Sequence, residues 1–257
     1  QDGFVHATRR RGTFVAENPP HLSRYGLVFP VHPQRDPGHW TRFWSALSNE
    51  AVSMRRPGVC ELEFFTDLAD HFDASDYSRL EREVRNYRLA GLMLFLHPDA
   101  IAPILDLQPG LPHVVVGGDE NALDDPWTSL RLSTHSFIHK SLDYLREKGC
   151  RRIAVISHRG PDDASNRLYF EVAQQHGLHL PVQWLQSSGL DVASAARNIA
   201  HLLMTAPHDQ RPQGLVITDD NLVEHATQGI AAAGVRAPQE LEIVAHCNFP
   251  WPTPSLV

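Results

Sequence analysis

At 257 residues the chain is long enough for two modest α/β lobes or for one large domain. Its 42% apolar and 21% charged residues are ordinary for a globular protein, and no apolar run reaches the ~20 residues a membrane span needs. The net charge of −7 argues against a general nucleic-acid binder, which leaves room only for a small basic element that touches DNA.

The opening residues are polar and basic, so nothing in them argues for export. Phe4–Ala7 and Thr13–Ala16 flank Thr8-Arg9-Arg10-Arg11-Gly12 and read as a β-hairpin with a basic tip. A lone hairpin is not stable by itself, so this one is expected to belong to something before residue 1. Asn18-Pro19-Pro20 then reads as a stiff linker.

From Tyr25 onward, short apolar runs alternate with amphipathic stretches, the pattern of βαβ units around a parallel sheet. Gly26–Val31 is the first expected strand, and Trp40, Phe43, Trp44, Leu47, Ala51 and Met54 recur at helical spacing until Gly58. Strands follow at Cys60–Phe65, Gly91–Leu96 and His113–Gly117. Helices fall at Ser75–Leu89, with Ser75 as N-cap, and around Ile101–Leu107. Gly118–Thr128 reads as a loop or crossover. The cycle restarts with strands at Ser129–Leu132, Arg152–Ile156, Val182–Leu185, Gly214–Ile217 and Leu241–Ala245. Helices lie between them at Thr134–Lys148 (stopped by Gly149), Asn166–Gln175, Val192–Leu203 and Leu222–Ala233.

Two successive parallel sets imply an α/β fold of two similar lobes with doubly wound sheets and a cleft, with chain crossovers near 118–129 and 246–252. Ligands of such sheets bind beyond the carboxyl ends of the strands. That places candidates after Val31, before Arg167, at Asp219 and Asp220, and at His246–Asn248.

Two family resemblances sit on these residues. Gly3-Phe4-Val5-His6-Ala7-Thr8-Arg9-Arg10-Arg11-Gly12-Thr13-Phe14-Val15 resembles the wing of the GntR-type winged-helix domain, which ends in a basic turn and Gly-Thr-Phe-Val. The remainder resembles the LacI/GalR-type effector-binding domain, with its periplasmic-binding-protein-like fold. The landmarks fall in order: Gly26-Leu27-Val28-Phe29-Pro30, Ala90-Gly91-Leu92-Met93-Leu94, Leu111-Pro112-His113-Val114-Val115, Tyr144–Ala154, Arg167-Leu168, Asp219-Asp220-Asn221 and Pro238–Val244. There are departures. Ala245-His246-Cys247-Asn248 replaces the family's Gly-Phe-Asp-Asp, so Cys247 stands where a ligand-gripping aspartate is usual, and Ser133-Thr134 replaces Asp-Asn.

These resemblances imply a bacterial transcription regulator that binds a small effector, a sugar or related polar metabolite, and controls operator DNA. The implied arrangement is a wing fragment at 1–18, a linker at 19–25, an N-terminal lobe at 26–128, a C-terminal lobe at 129–246 and a truncated hinge return at 247–257. They also imply a homodimer that is cytoplasmic, non-enzymatic and free of cofactors. An exported solute-binding protein of the same fold is the alternative, and a small-molecule hydrolase a weaker one. No Gly-x-Ser-x-Gly, Walker, Gly-x-Gly-x-x-Gly or His-Glu-x-x-His motif is present.

The expected effector set is Trp40, Arg167, Asp219, Asp220, Cys247 and Asn248, and the expected DNA set is Arg9, Arg10, Arg11, Gly12 and Thr13. Each effector residue has a plainer reading beside it. Trp40 shares a helical face with core residues, Arg167 could pair with Asp162 or Asp163, and one of the two aspartates could simply cap a helix. Cys60, Cys150 and Cys247 are odd in number and scattered, as expected of reduced thiols. His176 and His179 lack the further ligands that a metal site needs.

Overall fold

The computed structural model describes residues 4–9, 11–17, 19–69, 75–117, 127–160 and 163–257. The chain divides into two compact units, Gln1–Trp40 with Leu47–Leu132, and Thr41–Ala46 with Ser133–Val257.

The first unit begins with the hairpin. β1 (Val5–Thr8) and β2 (Gly12–Val15) pair antiparallel, from Val5↔Val15 to Thr8↔Gly12. Gly12 takes φ +106°, a backbone that L side chains rarely adopt, and Arg9 and Arg11 stand exposed at the tip. Arg10 lies outside the described residues.

Where a linker is expected, the chain forms a single helical turn, α1 (Pro20–Ser23), and enters β3 (Arg24–Val28) directly. The rest of the unit comprises α2 (Arg42–Ser53) from Leu47 on, its first residues to Ala46 grouping with the second unit, then β4 (Glu61–Phe65), α3 (Ser75–Arg85), β5 (Gly91–Leu94), α4 (Ala102–Leu105), β6 (His113–Val116) and β7 (Ser129–Leu130). Its parallel sheet runs β4-β3-β5-β6-β7. Val28, Phe65, Leu92 and Leu94 pack with Leu80, Val84, Ile101 and Ile104 from the helices to form its core.

The second unit comprises α5 (Thr134–Glu147), β8 (Ile153–Ser157), α6 (Ala164–Gln175), β9 (Leu185–Ser187), α7 (Ala195–Met204), β10 (Gly214–Ile217), α8 (Asp220–Ala232) and β11 (Glu242–Ala245). Its sheet is parallel, in the order β11-β10-β8-β9. Burial on both faces explains why its central strands are mainly apolar, β8 ending in a buried Ser157. Ala154, Ile156, Leu215 and Ile217 pack on α7 and α8, while Ile153, Val155 and Val216 face Ile138, Leu142 and Val172 of α5 and α6. Gly149, at φ +82°, reverses the chain between α5 and β8.

Several expectations need correction. Ser129–Leu130 opens no second lobe, because Val115 and Val116 of β6 pair with it and it closes the first sheet. A strand this short carries no periodic signal. Residues 118–126 of the expected crossover lie outside the described residues. The closing segment 247–257 groups with the second unit, not the first, and the Leu256 N–H donates to Thr227 Oγ1 on α8 at 3.2 Å. Val182–Trp184 is a 3-10 turn, and the strand starts only at Leu185. α3 ends at Arg85, four residues short of Leu89, and Tyr87 turns the chain at φ +54°. Ser75 is the first helical residue of α3, not the residue before it.

Candidate functional site

Strand order locates the chemistry in each unit. Counted from β3 in the first unit and from β8 in the second, each sheet runs second, first, third, fourth, with a fifth strand ending the first sheet, so the crevice at the carboxyl edge opens between the first and third strands. In the first unit that position lies between β3 and β5. The residue that follows each strand is aromatic, and the rings of Phe29 and Phe95 stack with centroids 4.6 Å apart and planes 8° apart. Trp40 leans on Phe29 at 5.0 Å and 48°, with Phe64 on the same ring at 6.2 Å. Phe29 is fully buried and Trp40 only partly so. Trp40 therefore caps an aromatic stack, just before α2 instead of at its start. Trp40 thus packs on a core residue and is half-buried.

The same position in the second unit, between β8 and β10, is polar. His158 follows β8 and Thr218 follows β10, and they bond to each other. The His158 backbone N–H donates to Thr218 Oγ1 at 3.0 Å, and the ring Nδ1 lies 2.8 Å from the same oxygen. Thr218 Oγ1 thus bridges the backbone and the ring of His158, the direction of the ring hydrogen bond depending on the imidazole tautomer. Burial is the main cause that holds the His158 pKa below its ordinary value, with Asp219 opposing and Arg159 and His246 reinforcing.

The two aspartates separate into different roles. Asp219 is the N-cap of α8, its Oδ1 accepting from the Asn221 backbone N–H at 2.9 Å and from Asn221 Nδ2 at 2.6 Å. Asp220 is only 3% exposed. Asn248 Nδ2 donates to Asp220 Oδ2 at 2.8 Å, and Arg42 Nε stands 3.7 Å from the same oxygen. Asp220 Oδ1 is buried without a protein partner. Burial raises the Asp220 pKa, with Asp219 adding to the rise, while the Asn248 hydrogen bond, His246 and Arg42 oppose it. A buried carboxylate oxygen without a donor is expensive unless something supplies one.

Other buried polar atoms of this unit also lack a partner, among them His246 Nδ1, just beyond β11, Asn166 Oδ1 in the first turn of α6 and Ser187 Oγ at the end of β9. Asn166 is 1% exposed, and its Nδ2 donates to the Gly160 carbonyl at 2.7 Å. Arg42, the first residue of α2, sits among Thr41–Ala46, which group with this unit. Its backbone N–H donates to Asn221 Oδ1 at 3.2 Å, and its guanidinium donates to the Pro252 carbonyl at 3.2 Å.

Of the expected effector residues, the structure thus brings Asp219, Asp220 and Asn248 together. Cys247 is exposed between His246 and Asn248. Arg167 lies one turn inside α6 and is exposed, and no hydrogen bond or ion pair among the described residues joins it to that group. Asp163, a suggested partner for Arg167, is instead the N-cap of α6, accepting from Ser165 N–H at 2.8 Å, and Asp162 lies outside the described residues. His158, Thr218, Asn166 and Arg42 escape the sequence reading. Only the position of His158 and Thr218, directly after the two central and mainly apolar strands, could have pointed to them. Among the described residues no group of three His, Cys, Asp or Glu side chains is placed to hold a metal ion.

Residues 142–255, within the second unit, match the family described as the periplasmic binding protein-like domain. The chain has the periplasmic-binding-protein-like fold. A LacI family transcriptional regulator from Lactobacillus casei with bound TRIS superposes with a TM-score of 0.63 at 18% identity, over 89% of this chain and 80% of that one. The sucrose-bound form of a Lactobacillus casei LacI family regulator gives 0.60 at 19% identity, over 86% and 78%. A LacI family transcriptional regulator from Mycobacterium smegmatis gives 0.58 at 21% identity, over 86% and 77%. No curated protein matches the sequence significantly. No helix among the described residues is long and apolar enough to cross a membrane.

Proposed function

We propose that this chain is the effector-sensing part of a LacI-like transcription regulator, that its effector is a sugar or related polyhydroxylated metabolite, and that the hairpin is the wing of a GntR-type winged-helix domain. The observation that carries the reading is the set of buried, unpartnered polar atoms at the carboxyl edge of the second sheet: Asp220 Oδ1, His246 Nδ1 and Asn166 Oδ1. The two fixed acceptors in this set call for a ligand rich in hydroxyl donors. Asp220 is the central acceptor, held in place by Asn248 and Arg42, and Asp219 serves α8 as its cap.

Fold likeness supports the class. LacI family regulators of this fold have been found with sucrose and with glucose bound. The exposed arginines of the hairpin tip suit DNA phosphates and so favour a regulator over a solute carrier. Arg9, Arg10, Arg11, Gly12 and Thr13 make up the proposed DNA contact, and a homodimer would place two wings on two half-sites. Thermal-shift titration with neutral sugars, sugar acids and sugar phosphates tests the effector class. A shift with neutral sugars supports the reading; turnover of a bound compound, or stabilisation by none of them, overturns it.

A further inference from the structure

The connection between hairpin and sheet is built unlike a free tether. Pro19 and Pro20 are both buried, and their rings hold φ near −65°. The turn they open is closed by Leu22 N–H donating to the Pro19 carbonyl at 2.9 Å and by Ser23 Oγ donating to the same oxygen at 3.4 Å. Ser23 is 4% exposed. Arg24 then enters β3, where its carbonyl accepts the Ala90 N–H at 2.6 Å. Its guanidinium is held by the carboxylates of Glu61, Glu63 and Glu83, the last of them 6% exposed. At the other end, Ala16 N–H donates to the Phe4 carbonyl at 2.9 Å and ties the two hairpin ends together. The Phe4 ring stacks on His21 of α1, centroids 5.6 Å apart and planes 15° apart. The hairpin is therefore joined to the first unit twice, by the chain itself and by this stack. Two joins remove the rotation that one would permit.

We infer that residues 19–24 form a rigid joint that makes the hairpin an extension of the first unit, with the stack of His21 on Phe4 as its latch. His21 acts as a positioning residue: it touches neither the proposed DNA contact nor the proposed effector site. That the joint carries an effector signal to DNA rests on the function proposed above, whereas its rigidity does not.

The test uses the full-length protein and two variants. His21 is exposed, so His21→Ala spares the core, and His21→Phe restores a stacking ring. Amide hydrogen exchange across Val5–Val15 is expected to quicken roughly two- to tenfold in His21→Ala, the range set by one aromatic contact, and to stay at the wild-type rate in His21→Phe. DNA affinity is then measured with and without glucose, sucrose and cellobiose. His21→Ala is expected to lose most of any sugar response that the wild type and His21→Phe share, while binding the sugar equally well. Unchanged exchange in His21→Ala overturns the rigid joint whatever the sugars do. Quickened exchange in a protein whose wild type ignores every sugar upholds the joint and removes the proposed function instead.

Discussion

Asp220 and His158 lie in the same polar group, yet protonation acts on them in opposite senses. A carboxyl whose folded pKa is raised gives stability that is present below its ordinary 3.8 and lost as pH rises through the raised value. Burial thus sets ionisation of Asp220 against the stability of the fold. Asp220→Asn removes the charge but can still accept from Asn248. It should raise Tm at pH ~7 and weaken sugar binding by about 1.5–3 kcal/mol, roughly ten- to hundredfold. Calorimetric titration beside a thermal melt measures both, and a variant that binds as tightly as wild type would remove Asp220 from the site. His158 runs the other way. With its pKa lowered from 6.5, its stability is present above 6.5 and lost as pH falls through the lowered value. Tm should drop on acidification from about pH 7.5 to 5.5, and less so in His158→Asn, whose Oδ1 can take the Thr218 hydroxyl without titrating. Equal slopes for both proteins would show that the imidazole does not titrate in that window.

Among the elements, α8 matters most, since it carries Asp219 at its cap and Asp220 in its first turn. Its position depends on close packing against α7 at Gly229, where an added methyl would collide with the Arg197 carbonyl oxygen. Backbone cannot yield as a side-chain tip does. Gly229→Ala should destabilise the second unit by about 1–3 kcal/mol despite the better helix propensity of alanine, and should lower sugar affinity by shifting Asp220. Denaturant unfolding decides it, and a variant at least as stable as wild type would refute the close packing. Most elements are legible from sequence because apolar runs and helical periods are local properties. Those that were not have physical reasons: β7 is only two residues long, and α3 stops early because Tyr87 adopts a left-handed backbone that nothing in its neighbours announces.

For the whole molecule, the hairpin arginines carry the proposed DNA contact. In full-length protein, Arg9→Ala and Arg11→Ala should each weaken binding to all duplexes about equally and flatten the salt dependence by up to roughly one phosphate's worth. A changed operator preference with an intact salt slope would make the tip a reader of bases instead. The sequence by itself determined the fold class, the repetition of the α/β pattern and the two aspartates after β10, because burial on both faces of a strand writes an unbroken apolar run and a helix start writes a capping acid. It also marked the basic tip. It did not determine which strands lie side by side. That was decided by tertiary packing, which put β8 next to β10 and so joined His158 to Thr218 across 60 residues of chain. The same packing turned Asn166 inward and left Arg167 exposed beside it, one position apart on the same helix. Helix phase against a sheet is set by long-range contacts, and a short polar stretch carries no periodic signal from which to read it.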